Sequence, residues 1–223
     1  MRKSNQYYIR KAHRWLGVII GVQFILWTVS GLYFSWTDID EIHGDHFLET
    51  VHGSVKLKAL NIPDSLQVNE LALRMIDGKP YLWMNDSLLI DPKTGEQKQG
   101  ITKDEAERIA RKYVKDDLQI VSGSLLTKVG AHHEYRGRPL PAWAIKFDSP
   151  DELTAYISQR DGSFQRVRYR SWRWFDFLWM FHTMDYQGRD DFNNLLLRVF
   201  SLFGLFTVAS GFVLFFITTK KKN

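Results

Sequence analysis

Histidine is the residue type in this chain whose placement invites chemistry: there are seven in 223 residues, and cysteine is absent. An imidazole can bind a metal through one ring nitrogen while a neighbour holds the other. His13 lies two residues before Trp15, at the mouth of an apolar run and among Arg10, Lys11 and Arg14. That position suits an interfacial polar residue as well as a ligand. His182 sits in Trp172 to Tyr186 (WRWFDFLWMFHTMDY), where Trp174, Leu178 and His182 recur at i, i+4 and i+8 and so share a helix face. A buried, hydrogen-bonded histidine is the plain reading there, and a ligand the sharper one. His43, His46 and His52 fall within ten residues, beside Asp38, Asp40, Glu41 and Asp45. Such a set can bind a divalent metal, or simply form a polar loop. His132 and His133 sit in a loop between Gly130 and Gly137, where a solvated role competes with metal contact. The sequence has no Gly-rich phosphate loop, no GxSxG, no HExxH and no paired carboxylates at a telling spacing. Without cysteine there is no disulfide framework, thiolate metal site or CxxCH haem attachment.

The elements that must position these residues are partly membrane-spanning. Trp15 to Trp36 runs 22 residues without a charge, which at the helical rise spans roughly 30 Å, the thickness of a hydrocarbon core. The run is too long for a signal peptide, and no small-x-small cleavage site follows it. The second span is Leu195 to Ile217, whose one charge, Arg198, lies a turn inside the end. An arginine there either snorkels to the interface or pairs with an anionic group. The formal charge of +5 does not indicate nucleic acid, because the basic residues cluster just outside the two spans: Arg2, Lys3, Arg10, Lys11 and Arg14, then Lys220 to Lys222. The positive-inside bias therefore puts both termini in the cytoplasm and the central region on the far side. Both spans carry a similar short pattern, Thr28-Val29-Ser30-Gly31 and Thr207-Val208-Ala209-Ser210-Gly211. Such small residues let a helix or a flat cofactor approach the backbone.

The expected organisation is a basic N-terminus (1–14), a first transmembrane helix (15–36), an extracytoplasmic domain (37–171), an interfacial aromatic helix and loop (172–193), a second transmembrane helix (194–218) and a basic tail (219–223). The central domain reads as two helix-then-hairpin units, an α+β arrangement. In the second unit Thr102-Lys103-Asp104-Glu105 is a capping box. Ala106, Ile109, Ala110 and Tyr113 follow at helical spacing, and strand-like runs come at 119–127, 141–148, 152–158 and 164–168. In the first unit the expectation is a helix near 65–76, strands near 80–85 and 87–91, and a turn at Asp91-Pro92-Lys93-Thr94-Gly95.

The helix ITKDEAERIARKY and the hairpins LIDPKTGE and ISQRDGSFQRV resemble PepSY domains. Arg10-Lys11-Ala12-His13-Arg14-Trp15-Leu16-Gly17 resembles the opening of PepSY-associated transmembrane proteins. His182-Thr183-Met184-Asp185-Tyr186, then Gly188-Arg189 and a span ending Ser210-Gly211, resembles that family's later segment. The resemblance implies a bacterial inner-membrane protein with a periplasmic central domain, related to iron-uptake proteins and to ferric-siderophore reductases that hold b-type haem between transmembrane histidines. It implies His13 as an inner haem ligand, His182, with His52, as outer ones, and Arg198 as a balance for propionate charge. His43 and His46 are the metal candidates. Those relatives have about four spans, so a homodimer or larger membrane complex is the implied partner, along with membrane lipid and an outer ferric chelate or periplasmic protein. The alternative is a membrane-anchored PepSY module, or accessory subunit, that recognises a partner or restrains a protease without redox activity.

Overall fold

The computed structural model describes residues 5–51, 67–115 and 118–219. The chain divides into two compact units, Met1–Thr37 with Trp174–Asn223, and Asp38–Arg173.

The first unit is helical. α1 (Asn5–Trp36) and α5 (Leu195–Thr219) pack antiparallel, with His13 beside Ser210 and Gly211, and Phe24 beside Gly204. A Cβ at Gly204 would stand 3.2 Å from the Phe24 ring, so the missing side chain sets how closely the helices approach. Val18, Ile19, Val22 and Ile25 on α1, like Leu205, Phe206, Phe212 and Phe216 on α5, remain exposed. Hydrocarbon is the solvent in which such faces are stable. Between the spans comes α4 (Arg170–Thr183), whose Phe175 and Trp179 rings pack on Phe34 of α1 at 4.7 and 5.5 Å.

The second unit is α+β. After the short α2 (Ile39–His43) come two antiparallel four-stranded meanders. The first is β1 (Leu71–Ile76), β2 (Lys79–Met84), β3 (Leu88–Ile90) and β4 (Gln97–Lys98). The second is β5 (Ile120–Leu126), β6 (Ala142–Phe147), β7 (Thr154–Ser158) and β8 (Phe164–Arg168). α3 (Lys103–Tyr113) lies between them in sequence and opens with the expected capping box: Thr102 accepts from the Glu105 N–H while the Glu105 carboxylate accepts from that of Thr102. Its Ala106, Ile109 and Ala110 join Ile76, Leu89, Ile145, Ile157 and Val167 in one core.

The helix expected near 65–76 is a strand over Leu71–Ile76; residues 65 and 66 lie outside the described set. The cause is Asp77-Gly78. Both residues take positive φ, 51° and 71°, and Ile76 pairs with Lys79 across them. A two-residue turn of that hand closes a hairpin, and the hairpin fixes its flanks as strands.

Asp161, in the β7–β8 turn, ties the two sheets together by accepting from Arg74 of β1 at 2.6 Å and from the Ser163 hydroxyl at 2.8 Å. Burial pushes the Asp161 carboxyl up, but hydrogen bonds from Ser158, Arg74 and Ser163 outweigh it and hold the group below the usual carboxylate range. A depressed folded pKa contributes stability that is complete above the unfolded value of about 4 and is lost as pH falls through the folded one. Asp161→Asn is expected to cost about 2 kcal/mol at pH 7, because Arg74 remains partly solvated. The difference should vanish toward pH 2; thermal unfolding of parent and variant by near-UV circular dichroism at pH 7 and below pH 3 measures it.

Candidate functional site

The C-terminus of α4 is held by α1. An α-helix leaves its last carbonyls without intrahelical partners. Here the Phe181 carbonyl accepts from Gln23 Nε2 at 3.0 Å, that of His182 from Trp27 Nε1 at 2.9 Å, and that of Thr183 from Asn194 Nδ2 at 2.9 Å. Gln23, Trp27 and Ser30 therefore form one polar face inside the apolar segment of α1, with Gln23 and Ser30 buried. Burying amide and hydroxyl groups there is tolerable because each is satisfied.

Ser30 makes the contact that matters for chemistry. Its Oγ lies 2.8 Å from His182 Nδ1 and 2.7 Å from the Leu26 carbonyl oxygen. When the hydroxyl donates to the Leu26 carbonyl, its lone pair accepts from His182 Nδ1–H. In that arrangement the proton sits on Nδ1 and the free lone pair on Nε2. The ring stacks on Trp179 at 6.2 Å and meets Phe34 edge-on at 5.5 Å.

The same arrangement recurs at the other end of α1. His13 Nδ1 lies 2.7 Å from Ser210 Oγ, and Ser210 donates its proton to the Thr207 carbonyl at 2.8 Å. With Ser210 donating to Thr207, the same arrangement puts the His13 proton on Nδ1 and leaves the Nε2 lone pair free. A Cβ at Gly211 would lie 3.5 Å from the His13 ring, so the glycine gives the imidazole room. Seventeen residues separate His13 from Ser30, a rise of roughly 25 Å along a helix. The two histidines occupy two levels and do not share one metal within a chain.

Past α4, Asp185 organises the loop by accepting from the N–H groups of Gln187, Gly188, Asp190 and Asp191 at 2.9 to 3.1 Å. Arg189 reaches Asp176 of α4 at 2.6 Å, yet its own Nε is buried with no hydrogen-bond partner. Arg198 is exposed one turn into α5, with no side-chain hydrogen bond or ion pair among the described residues.

The other histidines belong to the second unit. His43 and His46 are exposed; His43 lines a cavity rich in arginine, and His46 packs against Phe47 at 4.0 Å and Tyr169 at 5.4 Å. His52 lies outside the described residues. His133 Nδ1 accepts from the Tyr135 N–H at 3.0 Å within its loop. Among the described residues no three His, Asp or Glu side chains gather as a metal site. Nearby, Tyr156 donates to Glu134 at 2.6 Å and Arg173 donates to the same carboxylate at 2.5 Å. Burial, and then the Glu134 charge, raise the Tyr156 pKa far above its usual value, so the phenol stays protonated.

The family model of the PepSY-associated TM region matches residues 1–218. The chain belongs to that family. With α1 and α5 it is a PepSY-associated membrane protein with two apolar helices flanking an α+β region of two antiparallel sheets. No curated protein and no solved structure matches it.

In sequence, the Ser-Gly pairs in the spans of this PepSY-associated protein suit close approach of a helix or a flat cofactor. The structure makes Ser30 and Ser210 the groups that orient His182 and His13. Gln23, Trp27 and Asp176 carry no sequence signal beyond being polar, or indole-bearing, residues in or beside apolar segments; Arg189 stands in the family-like segment after His182, without an assigned role.

Proposed function

We propose that this protein binds b-type haem at two levels of the membrane and carries electrons across it, linked to reduction of an outer ferric chelate. The observation that carries the reading is the matched pair of histidines, each with Nδ1 held by a serine and Nε2 left free. That is the tautomer and the outer hydrogen bond which metal-ligating histidines use. The residues present fit the group: His13 and His182 would hold it through Nε2, the Trp179 and Phe34 rings flank His182, and the exposed Arg198 would supply positive charge for its carboxylates. A bis-imidazole haem exchanges one electron at iron without changing its ligands.

His13 and His182 are the only histidines of the helical unit, so a second axial nitrogen at each level must come from elsewhere. A second copy supplies it most simply, since a two-fold axis brings like residues together and raises two apolar spans to four. The basic residues Arg10, Lys11 and Arg14 favour the cytoplasmic side for the N-terminus, placing His13 at the inner level and His182 at the outer in the bacterial inner membrane.

The test is the visible spectrum of the detergent-purified protein, oxidised and then reduced with dithionite, after expression with haem available. A sharp reduced α-band of six-coordinate b haem is expected. A protein that stays colourless when haem is added rejects electron transfer and leaves a membrane-anchored recognition module or accessory subunit. Ser30→Ala and Ser210→Ala probe the orienting bonds: each is expected to weaken haem retention about tenfold at its own level while leaving the ligand in place. Competition against apomyoglobin measures that loss.

A further inference from the structure

The second unit carries a cavity of about 340 Å³ along β8, the edge strand of its sheet. Strand alternation turns Arg166 and Arg168 to one side, while Val167 between them enters the core. Residues two apart on a strand start about 7 Å from each other on one face, so the like charges of Arg166 and Arg168 repel. Arg138 and His43 add to the same lining, and among the described residues Asp45 is its one carboxylate. Arg168 is already engaged: it donates to the Glu134 carbonyl at 3.2 Å and lies 3.9 Å over the Trp172 ring. Arg166 is different. Its Nε is buried with no hydrogen-bond partner, and a buried guanidinium N–H left unmet is costly unless something accepts from it. Leu48 and Phe164 complete the wall with apolar surface.

We infer that this cavity is a binding site for a small molecule bearing two or more oxyanion groups, carboxylate or phosphate. Three guanidinium groups against one carboxylate leave a net positive lining, and the planar guanidinium fork pairs with both kinds of oxyanion. Arg166 is the central contact through its guanidinium charge, which no carboxylate among the described residues pairs, and Arg138 reaches the anion from the exposed side. Asp45 disfavours the ligand by like charge and so limits affinity. The inference is independent of haem, because every residue it uses belongs to residues 38–173.

Isothermal titration of the full chain in neutral detergent, with citrate in one arm and pyrophosphate in the other, tests the site. Tighter citrate binding identifies a carboxylate ligand, and tighter pyrophosphate binding a phosphate one; either supports the site. Arg166→Gln is expected to weaken binding at least tenfold, and Arg138→Gln by a smaller factor. Asp45→Asn is expected to tighten it, an effect that a misfolded variant does not produce. Absence of binding by both anions at about 1 mM overturns the proposal. So does an Arg166→Gln protein that binds like the parent, or an Asp45→Asn protein that binds no tighter.

Discussion

His182→Ala should purify with half the haem of the parent, His13→Ala with the other half, and the double variant with none. The expectation follows from the spacing of the two imidazoles. Ser30, which holds His182, lies seventeen positions after His13 on α1, roughly 25 Å of helix, so loss of one of the proposed ligands leaves the other level intact. In the proposed dimer each substitution would remove both histidines of its own level at once. The remaining haem in each single variant should therefore keep a six-coordinate spectrum instead of turning high-spin. His132→Ala and His133→Ala serve as controls, since both lie in a loop of the other unit. Pyridine haemochrome content per chain measures the effect. Full haem content in both single variants would defeat the assignment of these two ligands.

Asp176→Ala should destabilise the helical unit by about 3–5 kcal/mol, the cost of removing one partner from a buried ion pair. Asp176 and Arg189 bond at 2.6 Å, with side chains only 6% and 18% exposed. The Arg189 Nε has no partner even in the parent, so losing the carboxylate leaves the guanidinium charge largely uncompensated. For a chain of this size that corresponds to a fall in melting temperature on the order of 10 °C. Replacing both residues, as in Asp176→Leu with Arg189→Met, should recover much of the loss, because an apolar pair removes the desolvation problem together with the bond. Thermal melts of the parent, both single variants and the double variant in one detergent form the cycle. If the double variant is no better than Asp176→Ala, the buried charge is not what the aspartate neutralises. Asp176 lies six residues before His182 on α4, so haem retention should follow the melting temperature across the set.

Much of the architecture is written in local pattern. An apolar run of membrane length leaves little choice but a helix, since no water is present to satisfy an open backbone; the second span, expected over 195–217, forms Leu195–Thr219. The capping box at Thr102 and the turn-bounded strands of the second sheet were legible because each depends on neighbours within a few residues. The error at 65–76 is also local. Leu71, Leu73 and Met75 alternate as a strand does, and Asp77-Gly78 marks a hairpin whose turn prevails over helical propensity in the flank.

The candidate site is a different matter. Read along the chain, His13 and His182 adjoin apolar segments and serine–glycine pairs recur in both spans. That those serines meet those histidines, 152 and 197 residues apart in the chain, at 2.8 and 2.7 Å, comes from the packing of helices against one another. The physical reason is that a tautomer depends on which acceptor faces each ring nitrogen, and that acceptor comes from another helix. The same holds for Gln23 and Trp27, which read as stray polar groups in a membrane span until the unpaired carbonyls of α4 are placed against them.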